Sequence, residues 1–299
     1  MGNRIPSVAP TGACGSVHPM NPSPMDLPDL LNKYSLKPDK RLGQNFLNDA
    51  VYLSQIVEIA EVSSEDSVLE IGAGLGSLTR YLASCAGRVV AVELDPSLIA
   101  PLTEVLRPYS NVRIVQADIL EIDPAHLMDE SDYLVVANIP YYITSSVIRH
   151  LLEASPKPSR MVLTVQYEVA ERICAAPGNM SLLSLSVQIY GEPNIAVRIP
   201  ASAFYPIPKV DSAVISIKLH PKPVIPTDLV ERFFRLIKAA FSQKRKTLRN
   251  SLSAGLHTPP KETEELLRSA GIDPRRRAQT LGLAEWRRLV ETSASIDKN

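Results

Sequence analysis

The chain has 299 residues, 45% hydrophobic and 21% charged, a globular composition that excludes a wholly disordered or fibrous protein. It has no run of about eighteen apolar residues, so no membrane-spanning helix is expected. The 32 basic and 32 acidic side chains cancel, but unevenly: residues 1–199 carry 14 basic and 22 acidic groups, and residues 200–299 carry 18 and 10. A balance of −8 against +8 points to a basic module with an anionic partner, or to attraction between the two halves. Cys14, Cys85 and Cys174 are odd in number and far apart. They suit neither a disulfide framework nor a metal site, and they fit a reducing, cytoplasmic setting.

Residues 1–25 are rich in Pro, Gly and Ser and hold one charge, Arg4. They lack the apolar segment of a signal peptide and read as a disordered leader, with Met20 or Met25 as alternative starts. A short helix is expected over 26–36, a polar loop over 40–49, and a helix over 48–62 capped by Asn48 or Asp49. Apolar strands and helices then alternate. Strands are expected at 67–73, 88–94, 112–119, 133–139 and 160–166, with helices at 77–86, 96–107, 144–154 (Thr144 as cap) and 167–176. A further helix over 180–190 precedes strands at 194–200 and 212–220. Near-continuous apolar strands interleaved with helices mean a mostly parallel sheet covered on both faces, an α/β fold. The proline-rich segment 221–226 marks the expected boundary between a domain over 26–220 and a helical one over 221–299. In the second, helices are expected at 227–241, 244–256, 261–272 and 283–295.

Ile71-Gly72-Ala73-Gly74-Leu75-Gly76 follows the first long strand and opens a helix. Glycines allow a tight turn and a close approach to a ligand. Glu93 ends the next strand, where a carboxylate can accept both hydrogen bonds of a ribose diol. The ligand is then a cofactor containing a nucleoside. A dinucleotide site needs G-x-G-x-x-G, whereas here the third glycine comes one residue early and Glu70 precedes the set. This E-x-G-x-G form resembles that of class I S-adenosylmethionine methyltransferases. Leu94 follows Glu93. Asp118, at the end of the third strand, can accept the amino hydrogens of an adenine while Ile119 offers its backbone amide; the alternative for Asp118 is a plain turn cap.

Asn138-Ile139-Pro140-Tyr141 follows the fourth strand. It resembles the N/D-P-P-Y/F motif of methyltransferases acting on exocyclic amines of bases. The lone pair of an adenine N6 is delocalised into the ring, so acceptors bonded to its hydrogens must orient it. The Asn138 side-chain oxygen can serve as one acceptor and a carbonyl of the turn as the other. Pro140 has no N–H to compete and drives Ile139 into an extended conformation. Tyr141 offers a face on which a base can stack.

Four further segments extend the comparison: 40–47 (KRLGQNFL), 204–214 (FYPIPKVDSAV), 241–250 (FSQKRKTLRN) and 275–289 (RRRAQTLGLAEWRRL). Together with the loops above, the chain resembles the KsgA/RsmA family of small-subunit (16S) ribosomal RNA adenine N6,N6-dimethyltransferases, from about Lys33 to Leu289. The resemblance implies a Rossmann-like catalytic domain with a small all-α C-terminal domain. It implies S-adenosylmethionine as methyl donor and no metal. It implies two adjacent adenosines in a hairpin loop near the RNA 3′ end as target, within the immature small ribosomal subunit, and a monomer. The implied cofactor contacts fall on Asn45, Leu47, Gly72, Glu93, Asp118 and Asn138, with Gln44 beside them. Phe204 would stack on the target base opposite Tyr141; its alternative is a core position beside a proline-rich turn. Lys244, Arg245, Lys246 and Arg249, with Arg275, Arg276 and Arg277, would neutralise RNA phosphates. A large-subunit RNA target and a non-catalytic RNA-binding or assembly role remain as alternatives. A nicotinamide oxidoreductase lacks the required glycine spacing.

Overall fold

The computed structural model describes residues 22–128 and 132–296, so most of the leader read as disordered, and Cys14 with it, lies outside the described residues. Its strands are β1 (Phe46–Leu47), β2 (Ser67–Ile71), β3 (Arg88–Glu93), β4 (Val112–Gln116), β5 (Tyr133–Asn138), β6 (Arg160–Gln166), β7 (Gly191–Ile199), β8 (Phe204–Tyr205) and β9 (Ser212–Leu219). The helices are α1 (Leu27–Lys33), α2 (Ala50–Ile59), α3 (Ser77–Ala83), α4 (Pro96–Leu106), α5 (Thr144–Glu153), α6 (Tyr167–Ile173), α7 (Leu182–Gln188), α8 (Val230–Phe241), α9 (Leu248–Leu256), α10 (Pro260–Ser269) and α11 (Leu283–Ile296).

Seven strands form one sheet in the order β4-β3-β2-β5-β6-β9-β7. The pairings β2–β3, β3–β4, β2–β5 and β5–β6 are parallel, while β9 runs antiparallel to both β6 and β7. Strand order reverses between β2 and β5, so a crevice opens there at the carboxyl ends of the strands. The two-residue pair β1–β8 stands apart, joining Phe46 to Tyr205 and Leu47 to Phe204. The segment 40–49 around β1 reads as a loop in the sequence, and neither pair shows there because two residues are too few to alternate.

Side-chain alternation splits the core into layers. Leu69 and Ile71 of β2, with Tyr133, Val135 and Ala137 of β5, face α5, α6 and α7. Val68 of β2, with Leu134 and Val136 of β5, faces α2 and α3. Ala91 of β3 packs on Leu102 and Leu106 of α4. The helical C-terminal region shares the first of these layers through Phe233, Leu236, Ile237 and Trp286. Trp286 stacks on Phe241, with ring centroids 6.1 Å apart. The proline-rich segment 221–226 is itself packed between the two regions. Ile225 is fully buried, and the Val224 N–H donates to the Ile189 carbonyl.

Local signals set the helix starts. Asp49 caps α2 by accepting from the Val51 N–H, and Asp95 caps α4 by accepting from the Ser97 N–H. Thr144 is not the cap of α5, as expected from sequence, but its first residue. A 3₁₀ turn over Tyr141–Ile143 runs directly into the helix, and the Thr144 hydroxyl donates back to the Tyr141 carbonyl.

Glu70 stands on the same side of β2 as Val68, facing inward, and is only 1% exposed. Its Oε2 has no hydrogen-bond partner among the described residues. Burial pushes the carboxyl up to about 8; the Thr79 hydroxyl opposes this shift and the charge of Glu93 adds to it. In the unfolded chain the same group ionises near 4.5. The folded state therefore holds a proton that unfolding releases, and stability falls as pH rises from about 4.5 to about 8. Glu70→Gln, which cannot ionise, should gain melting temperature over the native protein by a margin that widens between pH 5 and pH 8. A margin independent of pH in thermal melts would show that Glu70 ionises normally when folded.

Candidate active site

The cleft at the carboxyl ends of the strands is lined by Leu42–Phe46, Ile71, Gly72, Gly74, Val92–Leu94, Leu98, Ala117–Ile119 and Asn138–Ile143. It gathers Gln44, Asn45, Gly72, Glu93, Leu94, Asp118, Ile119, Asn138, Ile139, Pro140 and Tyr141 from segments spread over a hundred residues of chain.

The glycine loop needs its glycines. Gly72 and Gly74 have φ of 74° and 58°, in the left-handed region that side chains avoid. A Cβ at Gly72 would stand 3.6 Å from both the Asn138 carbonyl oxygen and Pro140 Cδ, filling the gap between the two walls. A Cβ at Gly74 would meet the Phe46 ring at 3.0 Å.

Glu93 is buried beside this loop. The Gly74 N–H donates to its Oε2 at 2.7 Å and the Asp95 N–H to its Oε1 at 2.8 Å. Each oxygen keeps a further acceptor direction. Burial raises the Glu93 carboxyl above the usual range, and the two backbone donors oppose that shift. Asp118 accepts from the Leu120 N–H through Oδ1 at 2.9 Å, the cap role, with Oδ2 left over. Leu94 and Ile119 add apolar walls. Two backbone-braced carboxylates, apolar surface and a glycine cradle fit a cofactor with a ribose diol and an adenine.

The opposite wall is the 138–141 turn. Asn138 Nδ2 donates to the Asn45 carbonyl at 3.1 Å. Because that bond uses the amide nitrogen, the Oδ1 is fixed on the other side of the group as an acceptor. Asn45 is held by its own Nδ2, which donates to the Gly43 carbonyl at 3.1 Å. Gln44 is spanned between the Asp39 N–H, which donates to Oε1, and Asp95 Oδ2, which accepts from Nε2, both at 2.7 Å. The Ile139 carbonyl accepts no backbone hydrogen bond among the described residues. The Tyr141 hydroxyl pairs with the fully buried Ser212 hydroxyl at 2.7 Å. Burial pushes the Tyr141 phenol above its already alkaline range, so it stays neutral and acts as a surface.

Two expected site residues do not reach the cleft. Leu47 and Phe204 face each other in the β1–β8 pair and both turn into the core against α2 and α3. Phe204 is 3% exposed, packed as its core alternative expects. Alternation along β8 exposes Tyr205 instead. The basic cluster also divides. Arg249 is paired with Glu264, Arg275 with Asp273 and Arg276 with Glu285. Lys244, Arg245, Lys246 and Arg277 are exposed without ion-pair partners among the described residues. Sequence reasoning missed Ser212, although it lies inside a quoted motif, and Asp95 and Tyr142, whose roles depend on contacts across the fold. Among the described residues no group of His, Cys, Asp or Glu suits a metal ion, and no helix is long and apolar enough to cross a membrane.

Residues 36–295 match the family model described as ribosomal RNA adenine dimethylase. A ribosomal RNA small subunit methyltransferase A of Dehalococcoides mccartyi (strain CBDB1) is 46% identical over 262 residues, covering 87% of this chain and 90% of that protein. Its namesake in Bacillus mycoides (strain KBAB4) is 41% identical over 268 residues, covering 86% and 92%. Among solved structures, a dimethyladenosine transferase from Plasmodium falciparum superposes with a TM-score of 0.72 at 25% identity, covering 83% of this chain and 98% of that one. The 23S rRNA methyltransferase ErmE gives 0.68 at 31% identity, covering 83% and 99%. The matching family model, these relatives and the cleft geometry together place the chain in the ribosomal RNA adenine dimethylase family of S-adenosylmethionine-dependent methyltransferases.

Proposed function

We propose that the chain dimethylates the N6 amines of two adjacent adenosines in a hairpin loop near the 3′ end of 16S ribosomal RNA. It acts as a cytoplasmic monomer on the immature small subunit during ribosome biogenesis. The observation that carries this reading is the Asn138 amide, pinned through Nδ2 so that Oδ1 remains as an acceptor in the cleft. Relatives named for the small subunit are 41–46% identical, against 31% for the 23S enzyme, which favours the small-subunit target.

S-adenosylmethionine, when bound, supplies an electrophilic methyl group. Glu93 binds the ribose hydroxyls with the acceptor directions its backbone donors leave free. Asp118 takes the adenine amino group, between Leu94 and Ile119. On the other side, Asn138 Oδ1 and the Ile139 carbonyl accept the two N6 hydrogens and turn the nitrogen lone pair toward the cofactor pocket. Tyr141 stacks on the flipped base, its ring aligned by Ser212. The methylated nitrogen is acidic enough to lose its proton to water. Catalysis is then orientation and electrostatics, with no dedicated base. Outside the cleft, Lys244, Arg245, Lys246 and Arg277 supply the unpaired positive charge for RNA phosphates, from the helical region over 221–299. The catalytic domain spans 26–220.

Asn138→Ala should lower the transfer rate by about a hundredfold or more while the protein still folds and binds S-adenosylmethionine. Native-like turnover in single-turnover kinetics would remove the amine-orienting role. Ser212→Ala should slow transfer about two- to tenfold. Tyr141→Phe should match it, and the double variant should be no slower than either. Additive losses would mean that the two hydroxyls act separately. Replacing Lys244, Arg245 and Lys246 by Ala should lower the slope of log affinity against log salt by about 2–3. An unchanged slope in titrations with immature small subunits would leave the cluster without an RNA role.

A further inference from the structure

The rim of the cleft carries surface that the reaction at the target base does not use. Tyr142, directly after the catalytic turn, is 57% exposed. It does not pack inward like Ile143; its ring lies beside Gly43, where a Cβ would touch Tyr142 Cδ1 at 3.4 Å. Gly43 has φ of 63° and closes a 3₁₀ turn begun by Lys40, which is exposed and without an ion-pair partner among the described residues. An aromatic face and a glycine backbone thus sit together at the mouth, with Lys40 at the start of the same turn.

A second stretch of rim is the 205–211 loop. Its start is fixed because Tyr205 is directly opposite Phe46, a cleft-lining residue. Its end is fixed because Ser212 is bonded to Tyr141. The loop is therefore anchored at both ends on residues that line the cleft. It turns Tyr205 (39% exposed), Ile207 (69%) and Val210 (45%) outward, with Lys209 exposed between them. The only carboxylate on the loop, Asp211, is neutralised by Arg198. Four large apolar side chains on two short segments, free of unpaired negative charge and continuous with the cleft, make a surface for flat, apolar-faced groups on a polyanion.

We propose that Tyr142 and Tyr205 are stacking platforms for the unpaired RNA bases on either side of the target adenosine. Lys40 and Lys209 contact the phosphates between those bases. This rests on the RNA-adenine reading of the cleft and adds to it a subsite outside the flipped base. A single flipped base leaves its neighbours unstacked, and stacking them on aromatic side chains restores part of what flipping costs. Stacking needs the ring and not the hydroxyl, so it is indifferent to loss of the phenol oxygen.

The test uses the full chain with small subunits that lack the modification, measuring KM for the subunit, kcat and the dissociation constant for S-adenosylmethionine. Tyr142→Ala and Tyr205→Ala should each raise the KM for the subunit about tenfold, with cofactor affinity and melting temperature unchanged. Tyr142→Phe, Tyr142→Trp and Tyr205→Phe should stay within about twofold of native. A native KM in both alanine variants overturns the proposal, as does a phenylalanine variant that fails like alanine. If the native protein methylates small subunits while the alanine variants match it, the rim fails alone. If the native protein methylates no small subunit, the underlying reading fails and takes the rim with it.

Discussion

The hydrogen bond from the Asn138 amide to the Asn45 carbonyl is the contact on which the site turns. It joins the end of β5 to the loop before β1, two segments with no reason to meet except the fold. A primary amide can present either its nitrogen or its oxygen to a ligand. Tying the nitrogen to a main-chain carbonyl removes that freedom and leaves an acceptor facing the cleft. The Gln44 bridge from Asp39 to Asp95 and the Asn45 bond to Gly43 keep that carbonyl in place. Positioning here is done by backbone groups and short side chains with few rotamers, as catalysis by orientation requires.

The sheet supplies the rest of the geometry through its strand order. Two carboxylates, Asp118 just past β4 and Glu93 at the end of β3, with the Gly72 turn just past β2 and the Asn138 amide at the end of β5, thus line one crevice. The reversal of strand order between β2 and β5 sets Gly72, Glu93 and Asp118 on one side of the crevice and Asn138 on the other. The antiparallel β9 then returns beside β6, and its first residue, Ser212, aligns Tyr141 from behind. The helical region is welded to this frame by a continuous apolar layer through Phe233 and Trp286. Charge carried on α8 to α11 thus holds a fixed position relative to the cleft.

The seven sheet strands were legible because their apolar runs are long and bounded by turn residues, and the cofactor class was legible in the early third glycine and in Glu93. What the sequence could not show was orientation. The resemblance puts Phe204 on the target base, with a core position beside the proline-rich turn as its alternative; in the fold, pairing with Leu47 turns it into the core and Tyr205 outward. The basic residues near the C-terminus look equivalent in sequence. In the fold, Arg249, Arg275 and Arg276 hold carboxylates that lie 15, 2 and 9 positions away. Of the seven basic residues singled out in the sequence, Lys244, Arg245, Lys246 and Arg277 have no ion-pair partner among the described residues. Thr144 and the two-residue strands escaped for a related reason: a 3₁₀ turn running into a helix, or a pair of residues in a ladder, has no period to read.

If the cleft presents an oriented adenine N6 of small-subunit RNA to a methyl donor, as proposed, the protein marks small subunits and leaves large ones unmarked. The most direct measurement incubates the protein with labelled S-adenosylmethionine and with separate small and large subunits lacking methylation, then identifies the labelled nucleosides by mass spectrometry. N6,N6-dimethyladenosine should appear in 16S RNA and not in 23S RNA. Label confined to 23S RNA, or to a nucleoside other than an N6-methylated adenosine, would contradict it.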